Sequence, residues 1–301
     1  MMLPAPTHSS DAGRLDKIGL GTVQFGLPYG ISNVRGQVEI AEVMSILKLA
    51  AELGIIWLDT AADYGTAEAV LGAAIGDWGR FRVITKTLPL GPSGIDAVIG
   101  RVAESSRLLR RRSLDALLVH GAGDLNAETG AALWQAMRSL KRSGAVQKIG
   151  ISAYFDQDPL ALAQRYAPDL MQISVSLLDQ RMIRSGDLER IKQLGVQIHA
   201  RSVFTQGLLF LTPDQLPPKL AHGAGRLAEI KRTIASGGAS LMQAALGFVL
   251  DRSDIDLIVV GVTNTRELAE IAAVARGPRP VGLDWEGLAL EDPLLIDPRA
   301  W

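Results

Sequence analysis

Four residues in this sequence have side chains suited to proton transfer, and each lies at or just after the end of a short apolar run. They are Asp59, Tyr64, Lys86 and His120. In a barrel of parallel strands, functional groups gather at the carboxyl ends of the strands and in the loops that follow them. The pattern therefore predicts that a carboxylate, a phenol, an ammonium and an imidazole lie together at one mouth of such a barrel.

These four groups suit the reduction of a carbonyl, which needs a hydride on carbon and a proton on oxygen. A free phenol has a pKa of roughly 10, so it gives up its proton reluctantly near neutral pH. We expect the ammonium of Lys86 to lower the pKa of Tyr64, and Asp59 to keep that lysine charged. His120 would hydrogen-bond the substrate oxygen. A buried Asp59–Lys86 pair is unfavourable to desolvate, which favours a functional role over a stabilising one.

Each of the four residues also has a structural interpretation when it is taken alone. Asp59 can cap the next turn, Tyr64 can pack on the barrel rim, and Lys86 can be a solvated rim residue. His120 can be a core histidine bonded to a backbone carbonyl. Their occurrence together at consecutive strand ends favours the functional interpretation.

The elements that would position these residues alternate along the chain, because short apolar runs are followed by segments of helical spacing. The predicted strands are Lys17–Thr22, Ile55–Asp59, Arg82–Lys86, Asp115–His120, Val146–Ser152, Leu170–Ser174, Val196–Ser202 and Leu257–Gly261. The predicted helices are Val38–Leu53, Thr66–Ile75, Ile95–Arg112, Ala127–Arg142, Asp158–Tyr166, Met182–Leu194, Arg226–Ala235, Leu241–Leu250 and Asn264–Arg276.

Alternating strands and helices predict an α/β protein with a parallel sheet. Eight such units favour a closed (β/α)8 TIM barrel over an open doubly wound sheet. The open sheet would need a Gly-x-Gly-x-x-Gly turn after its first strand, and Gly19, Gly21 and Gly26 do not have that spacing.

The length of 301 residues fits one barrel domain. We predict a flexible segment at 1–13, a barrel at 14–301, and within it a C-terminal tail at 280–301 that either folds over the pocket or lies idle. A formal net charge of -1 gives no reason to expect nucleic-acid or membrane binding. The four histidines show no metal-ligand spacing, and the lack of cysteine and of an apolar leader suits the cytoplasm.

At its candidate residues the sequence resembles the aldo-keto reductase superfamily, and the resemblance covers about residues 17 to 276. The matching segments are Leu20-Gly21-Thr22, Leu58-Asp59-Thr60-Ala61-Ala62-Asp63-Tyr64-Gly65, Ile84-Thr85-Lys86 and Leu118-Val119-His120. The resemblance implies that the four candidate residues form the catalytic tetrad of the family, with Tyr64 as the acid in reduction and the base in oxidation. It also implies NADP(H), less often NAD(H), bound across the barrel mouth, and we favour NADP(H) on this ground.

The same resemblance implies which residues hold the cofactor. They are Thr22 and Val23 at the nicotinamide ribose, Ser152 and Gln172 at the carboxamide, Ser202, Gln206, Gly207 and Leu208 over the pyrophosphate, and Gly261, Thr263, Arg266, Glu267 and Glu270 at the adenosine end. Oligomeric state is not indicated by any of these positions.

The chain departs from the family pattern at three cofactor positions. Ala153 stands where many relatives have asparagine, and Arg201 stands where many have an aromatic ring that stacks on the nicotinamide, a contact that a guanidinium plane can also make. Glu267 stands where phosphate-reading relatives have a cation, and its spacing from Asn264 also fits a helix cap. Arg266 is the nearby cation that can pair with a phosphate.

Aromatic residues in the loops after the strands are the candidates for the substrate pocket. They are Phe25, Tyr29, Tyr154 and Phe155, with Trp285 in the tail as a further candidate. The segment from Gly21 to Asn33 resembles a bacterial subgroup associated with sugar or polysaccharide gene clusters, which suggests a small carbonyl or a sugar as substrate. Two alternatives stay open: a sugar or alcohol dehydrogenase that uses the same residues in oxidation, and a nicotinamide-binding regulatory subunit without turnover.

Overall fold

Eight parallel strands close into a barrel in a computed structural model that describes residues 15–75, 79–126 and 128–301. They are β1 (Ile18–Gly21), β2 (Trp57–Asp59), β3 (Arg82–Lys86), β4 (Leu114–Val119), β5 (Val146–Ala153), β6 (Leu170–Ser174), β7 (Gln197–Arg201) and β8 (Leu257–Gly261). Strands that are neighbours in sequence are neighbours in the barrel, and β1 pairs with β8 to close the ring. The predicted single-domain (β/α)8 barrel is confirmed, while the segment 1–13 lies outside the described residues.

Helices follow the strands and cover the outside of the barrel. They are α1 (Val23–Gly26), α2 (Ile40–Leu53), α3 (Ala67–Ile75), α4 (Gly94–Leu108), α5 (Gly123–Asn126), α6 (Gly130–Arg142), α7 (Pro159–Tyr166), α8 (Arg181–Arg184), α9 (Asp187–Gln193), α10 (Ala224–Ser236), α11 (Leu241–Leu250), α12 (Thr265–Arg276) and α13 (Pro293–Ile296). Among the described residues, no single helix is long and apolar enough to cross a membrane; residues 218–236 and 241–250 pass that test only as a pair bent by 84°.

The alternation of side chains along the strands separates the barrel interior from the layer under the helices. Ile84 and Leu170 belong to a small apolar cluster that is distinct from the main core. Lys86 and Gln172 lie two residues further along the same two strands, so they share the interior face. The interior therefore has an apolar layer beneath a polar layer, and the polar layer lies at the carboxyl ends of the strands.

Several predicted boundaries were wrong for local reasons. The predicted helix Met182–Leu194 is two helices, α8 and α9, because Gly186 between them has a left-handed backbone with a φ of 75°. The segment after β1 was predicted as a loop, yet it begins with the short helix α1. β4 ends at Val119, so His120 is the first residue after the strand.

The tail at 280–301 packs against the barrel. Leu283, Leu288 and Leu295 join Leu227 and Ile234 of α10 in a second apolar cluster. The backbone N–H of Leu290 donates to the carbonyl of Leu178 at 2.9 Å. No residue of the tail lines the cleft at the barrel mouth itself.

Candidate active site

A buried ion pair forms the floor of the site. Lys86 is 1% exposed, and its Nζ donates to Asp59 Oδ1 at 2.7 Å and to the Thr60 carbonyl at 2.8 Å. The register of the barrel brings the two residues together, because Asp59 is the last residue of β2, beside β3, which ends on Lys86. Two bonds to buried oxygens fix the ammonium in one position.

Tyr64 lies above this ion pair on the loop between β2 and α3. Its Oη is 3.4 Å from Lys86 Nζ, and the ammonium is 4.9 Å from the centre of its ring. Gly26 of α1 packs so closely on this loop that a Cβ atom there would lie 1.9 Å from the Tyr64 carbonyl. The glycine lets α1 support the tyrosine loop from outside the barrel.

The protonation of Tyr64 depends on two opposed effects. Lys86 lowers the pKa of Tyr64, as predicted, but burial raises it by more, so the pKa lies above its usual value. Burial alone would lower the pKa of Lys86, but Asp59 and Tyr64 raise it above its usual value. Near neutral pH the phenol keeps its proton and the ammonium keeps its charge, which is the state that a proton donor needs.

His120 faces Tyr64 across the mouth of the barrel. The two rings meet edge to face, with centroids 5.7 Å apart and an interplanar angle of 77°. Burial, together with the positive charges of Lys86 and Arg201, lowers the pKa of His120 to about 3. Its Nδ1 is 3.8 Å from Asp63 Oδ2, which is beyond hydrogen-bond distance. The imidazole is therefore neutral and has one N–H to donate. The structure thus brings all four candidate residues together.

A cleft of about 800 Å³ opens above these residues. Twelve of the predicted cofactor residues line it: Thr22, Val23, Ser152, Gln172, Arg201, Ser202, Gln206, Gly207, Gly261, Thr263, Glu267 and Glu270. Leu208 does not line it, since its side chain is fully buried in the second apolar cluster. Arg266 does not line it either, because its side chain is 87% exposed and pairs with Glu270 along the helix surface.

Gln172 has a contact that the sequence did not indicate. Its Nε2 donates to Asp59 Oδ2 at 2.7 Å, so both oxygens of that carboxylate are bonded, one to Lys86 and one to Gln172. His199 lies in the strand next to Gln172 and is buried, and its Nδ1 has no hydrogen-bond partner among the described residues. Burial lowers the pKa of His199 to about 4, so its ring is neutral near neutral pH. The ring therefore lies in the barrel as a neutral group with one nitrogen that lacks a hydrogen-bond partner among the described residues.

The loop after β7 crosses the mouth and meets the loop after β1. Ser202 and Gln206 have left-handed backbones with φ of 59° and 53°, and Gly207 has a φ of 90°. The Ser32 hydroxyl donates to the Gln206 carbonyl at 3.4 Å, and a Cβ atom on Gly207 would lie 1.9 Å from Ser32 Oγ. Glycine at 207 therefore allows the two loops to close over the cleft.

Arg201 and Tyr154 form one stacked unit at the side of the cleft. The Arg201 guanidinium lies 4.0 Å from the centre of the Tyr154 ring, and that of Arg299 in the tail lies 3.9 Å from it. Arg201 Nε is buried without a partner among the described residues. An unpaired buried donor beside Ser152 and Gln172 fits a ligand that offers an acceptor, such as the carbonyl oxygen of a carboxamide.

The adenosine end predicted from the resemblance carries carboxylates. Glu267 accepts hydrogen bonds from the backbone and hydroxyl of Thr263, at 2.6 and 2.9 Å, and from the Asn264 amide at 2.9 Å. Asn264 in return caps α12, because its side chain accepts from the backbone of Glu267 at 3.0 Å. The helix is thus capped by Asn264, while Glu267 bonds to Thr263 and to the Asn264 side chain instead of completing a capping box, and its carboxylate also faces the cleft.

Three of the candidate substrate-pocket residues lie elsewhere. Tyr29 and Tyr154 line the cleft, but the side chain of Phe25, on α1, is fully buried. Phe155 packs on the main core and carries the Arg181 guanidinium at 5.1 Å. Trp285 packs against Phe248 at a ring distance of 5.9 Å.

Further polar residues line the cleft and were not predicted as site residues. Among them, Gln24 lies on α1, and Asn33 and Arg35 lie in the loop that follows α1. Gln24 Oε1 is buried without a partner among the described residues, and a Cβ atom on Gly261 would lie 2.8 Å from Gln24 Nε2. In the sequence, the position of this loop after a strand was the indication that these residues could line the cleft.

Comparison with known proteins finds similarity over most of the chain. A family model described as the Aldo/keto reductase family matches residues 17–278. The methylglyoxal reductase DkgB of Salmonella typhi is 33% identical over 133 residues, which are 43% of this chain and 47% of that protein. The chain thus matches about half the length of such curated relatives.

Solved structures of low sequence identity show the same fold. The holo form of the aldo-keto reductase AKR11C1 from Bacillus halodurans has a TM-score of 0.72 at 20% identity, with 90% of each chain covered. The structure of a candidate aldo-keto reductase from Pseudomonas aeruginosa has a TM-score of 0.64 at 21% identity, with 86% of this chain and 89% of that chain covered.

Proposed function

Because the chain belongs to the aldo/keto reductase family, we propose that it reduces an aldehyde or ketone to the alcohol with NAD(P)H, and that Tyr64 donates the proton. The observation that carries this proposal is the position of the Tyr64 hydroxyl, 3.4 Å from the ammonium of the buried Asp59–Lys86 pair. A protonated phenol beside a fixed positive charge can lose its proton to a substrate and be stabilised as phenolate.

The chemistry of the residues follows from their protonation. The substrate oxygen would take hydrogen bonds from Tyr64 Oη and from the neutral His120 ring. When bound, the nicotinamide supplies the hydride that reaches the carbonyl carbon. The Tyr64 proton then moves to the oxygen, so the products are an alcohol and a phenolate. Lys86 stabilises that phenolate, and Asp59 holds Lys86 in place.

The side chains around the cleft would hold the cofactor. Ser152 and Gln172 offer polar groups for the carboxamide, and the closely packed glycines Gly207 and Gly261 leave room for the chain of the dinucleotide. The resemblance favours NADPH. The charges at the adenosine end oppose this preference, because Glu267 and Glu270 line the cleft there and Arg266 does not. Binding titrations with both cofactors decide between them, and tighter binding of NADH would implicate Glu267.

The substrate class that we propose is a small reactive carbonyl or a sugar. The Salmonella relative is a methylglyoxal reductase, although it matches only part of this chain. Tyr29 and Tyr154 at the cleft can pack on a small apolar substrate or on the face of a sugar ring.

Turnover of methylglyoxal with NADPH and with NADH is the test. We expect the wild-type chain to oxidise one of the cofactors when the aldehyde is present, and Tyr64→Phe to lower kcat by at least ~100-fold. Tyr166→Phe is the matched control, since that hydroxyl is buried far from the cleft and bonds to the Leu125 carbonyl. Full turnover by folded Tyr64→Phe would remove Tyr64 as the proton donor. If the wild type turned over no carbonyl or alcohol, a regulatory binding role would replace the proposed activity.

A further inference from the structure

Glu68 on α3 is a buried carboxylate that the chemistry above does not use. It is 2% exposed and accepts three hydrogen bonds from side chains. Oε1 accepts from the Thr85 hydroxyl at 2.6 Å, and Oε2 accepts from Arg101 Nη2 at 2.6 Å and from the Ser105 hydroxyl at 3.1 Å. Arg101 also donates to Ser105 at 2.7 Å, so the four side chains form one closed network.

The network joins the two segments that carry Tyr64 and Lys86. Arg101 Nη2 also donates to the carbonyl of Ala62 at 3.1 Å, two residues before Tyr64. Thr85 directly precedes Lys86 on β3, and the Ala62 N–H donates to the Lys86 carbonyl at 3.2 Å. One carboxylate therefore ties the tyrosine loop to the lysine strand from the outer side of the barrel.

Within the site, the Tyr64 ring packs edge to face on His120, and its hydroxyl has one polar contact among the described residues. Its hydroxyl contacts Lys86 at 3.4 Å, a distance at the outer limit of a hydrogen bond, so its alignment depends on the backbone of its loop. Misplacement of reacting groups by about 1 Å can lower a rate by about 100-fold. A buried charged network is also an expensive way to stabilise a fold, since apolar residues of similar volume are often as good or better.

From these contacts we propose that Glu68 and Arg101 are positioning residues that hold Tyr64 at its working distance from Lys86. The proposal rests on the proposed function, because it assigns the network to the proton-donating geometry. Neither residue touches the cleft. They act on the reaction only through the loop that ends at Tyr64 and the strand that ends at Lys86.

The test compares two glutamates that both pair with an arginine on α4. Glu68→Gln keeps the shape of the buried side chain and removes its charge. Glu104→Gln is the matched control, because Glu104 pairs with Arg107 on the exposed surface. We expect Glu68→Gln to lower kcat about 10-fold with less than a 2-fold change in cofactor Kd, and Glu104→Gln to change neither.

A second readout does not depend on turnover. The groups that face Tyr64 are Lys86, Asp59, His120, Arg201 and Tyr29, and loss of its proximity to Lys86 removes the influence that favours the phenolate. Tyrosinate absorbance, measured as the difference from Tyr64→Phe, would then show Tyr64 titrating at higher pH in Glu68→Gln than in the wild type. This readout stands even if the wild type lacks carbonyl turnover, so the two proposals can fail separately.

Two milder variants apply if Glu68→Gln does not fold. Arg101→Lys keeps the charge beside Glu68 but removes the guanidinium group that also donates to the Ala62 carbonyl. Thr85→Val removes the hydrogen bond from the Thr85 hydroxyl to Glu68. We expect both to lower kcat and to raise the pH of the Tyr64 titration by less than Glu68→Gln would. A folded variant of the network, with cooperative melting, that has wild-type kcat and a wild-type titration would overturn the proposal and leave the network a structural role only.

Discussion

The two ends of the cleft are built in different ways. At the catalytic end, Asp59 and Lys86 are buried, and each is fixed by the partner strands of the barrel. At the adenosine end, Glu267 lies on the first turn of α12 and bonds to its own neighbours in sequence. Strand register therefore fixes the proposed proton donor and its partners, while a helix cap sets the charge at the end of the cleft where we propose that the adenosine of the cofactor binds. The second end can change without disturbing the first.

The largest effect is expected at the catalytic end. Lys86→Met would leave Asp59 buried without its cation, so we expect a loss of about 3 to 5 kcal/mol of stability and at least a 100-fold loss of kcat. The double variant Asp59→Asn with Lys86→Met should recover most of the stability and none of the activity. Denaturant unfolding and turnover of methylglyoxal measure the two effects. Recovery of activity together with stability in the double variant would contradict the proposed difference between the two ends of the cleft.

A smaller effect is expected at the adenosine end, and it should concern cofactor choice alone. Glu267→Arg would replace a carboxylate that faces the cleft with a cation, so we expect the ratio of NADH Kd to NADPH Kd to rise about 10-fold or more. Glu267→Gln separates removal of repulsion from gain of attraction, and should give a smaller rise. Titration by cofactor fluorescence measures both. A change in kcat as large as the change in Kd would show that the two ends are coupled.

The smallest effect is expected from pH between 5 and 8. Since the pKa of His120 is lowered to about 3, its ring stays neutral over this range, and kcat for reduction should not follow a histidine titration. An ordinary histidine would titrate near 6.5. A step in kcat centred near pH 6.5 that disappears in His120→Gln would contradict this account.

The lowered pKa of His120 also makes the stability of the folded protein depend on pH in a defined direction. A folded pKa below the unfolded value means that its contribution is complete above pH 6.5 and is lost as the pH falls from there towards 3. His199, with its pKa lowered to about 4, adds an effect of the same sign. We expect Tm to decrease below pH 6.5, and to decrease less steeply in His120→Gln.

The sequence was sufficient for the fold and for the four central residues because both depend on strand periodicity. β6 and β8 have the predicted bounds, and the tetrad lies at the ends of consecutive strands. The burial of individual side chains could not be predicted from strand periodicity. Burial raises the pKa of Tyr64, and neither this burial nor the short helix α1, with its buried Phe25, has a periodic signal in the sequence.

Contacts between distant segments were also beyond the sequence. The bond from Gln172 to Asp59 joins β6 to β2 across the barrel, and the contact of Arg299 with Tyr154 joins the tail to the loop after β5. The break at Gly186 was missed because apolar residues keep a helical spacing on both sides of it. Periodic spacing within a helix or strand predicts that helix or strand. It does not indicate which residues of other elements contact it.

The pairing of β1 with β8 determines when the barrel can close during synthesis of the chain. All four residues of the proposed tetrad have been synthesised by position 120, but Ile18 finds its partner Ile258 only after β8 has been made. Until then β1 presents an open edge that can pair with other strands. A nascent chain therefore carries all four side chains while a further 138 residues are added before the ring that aligns them can close.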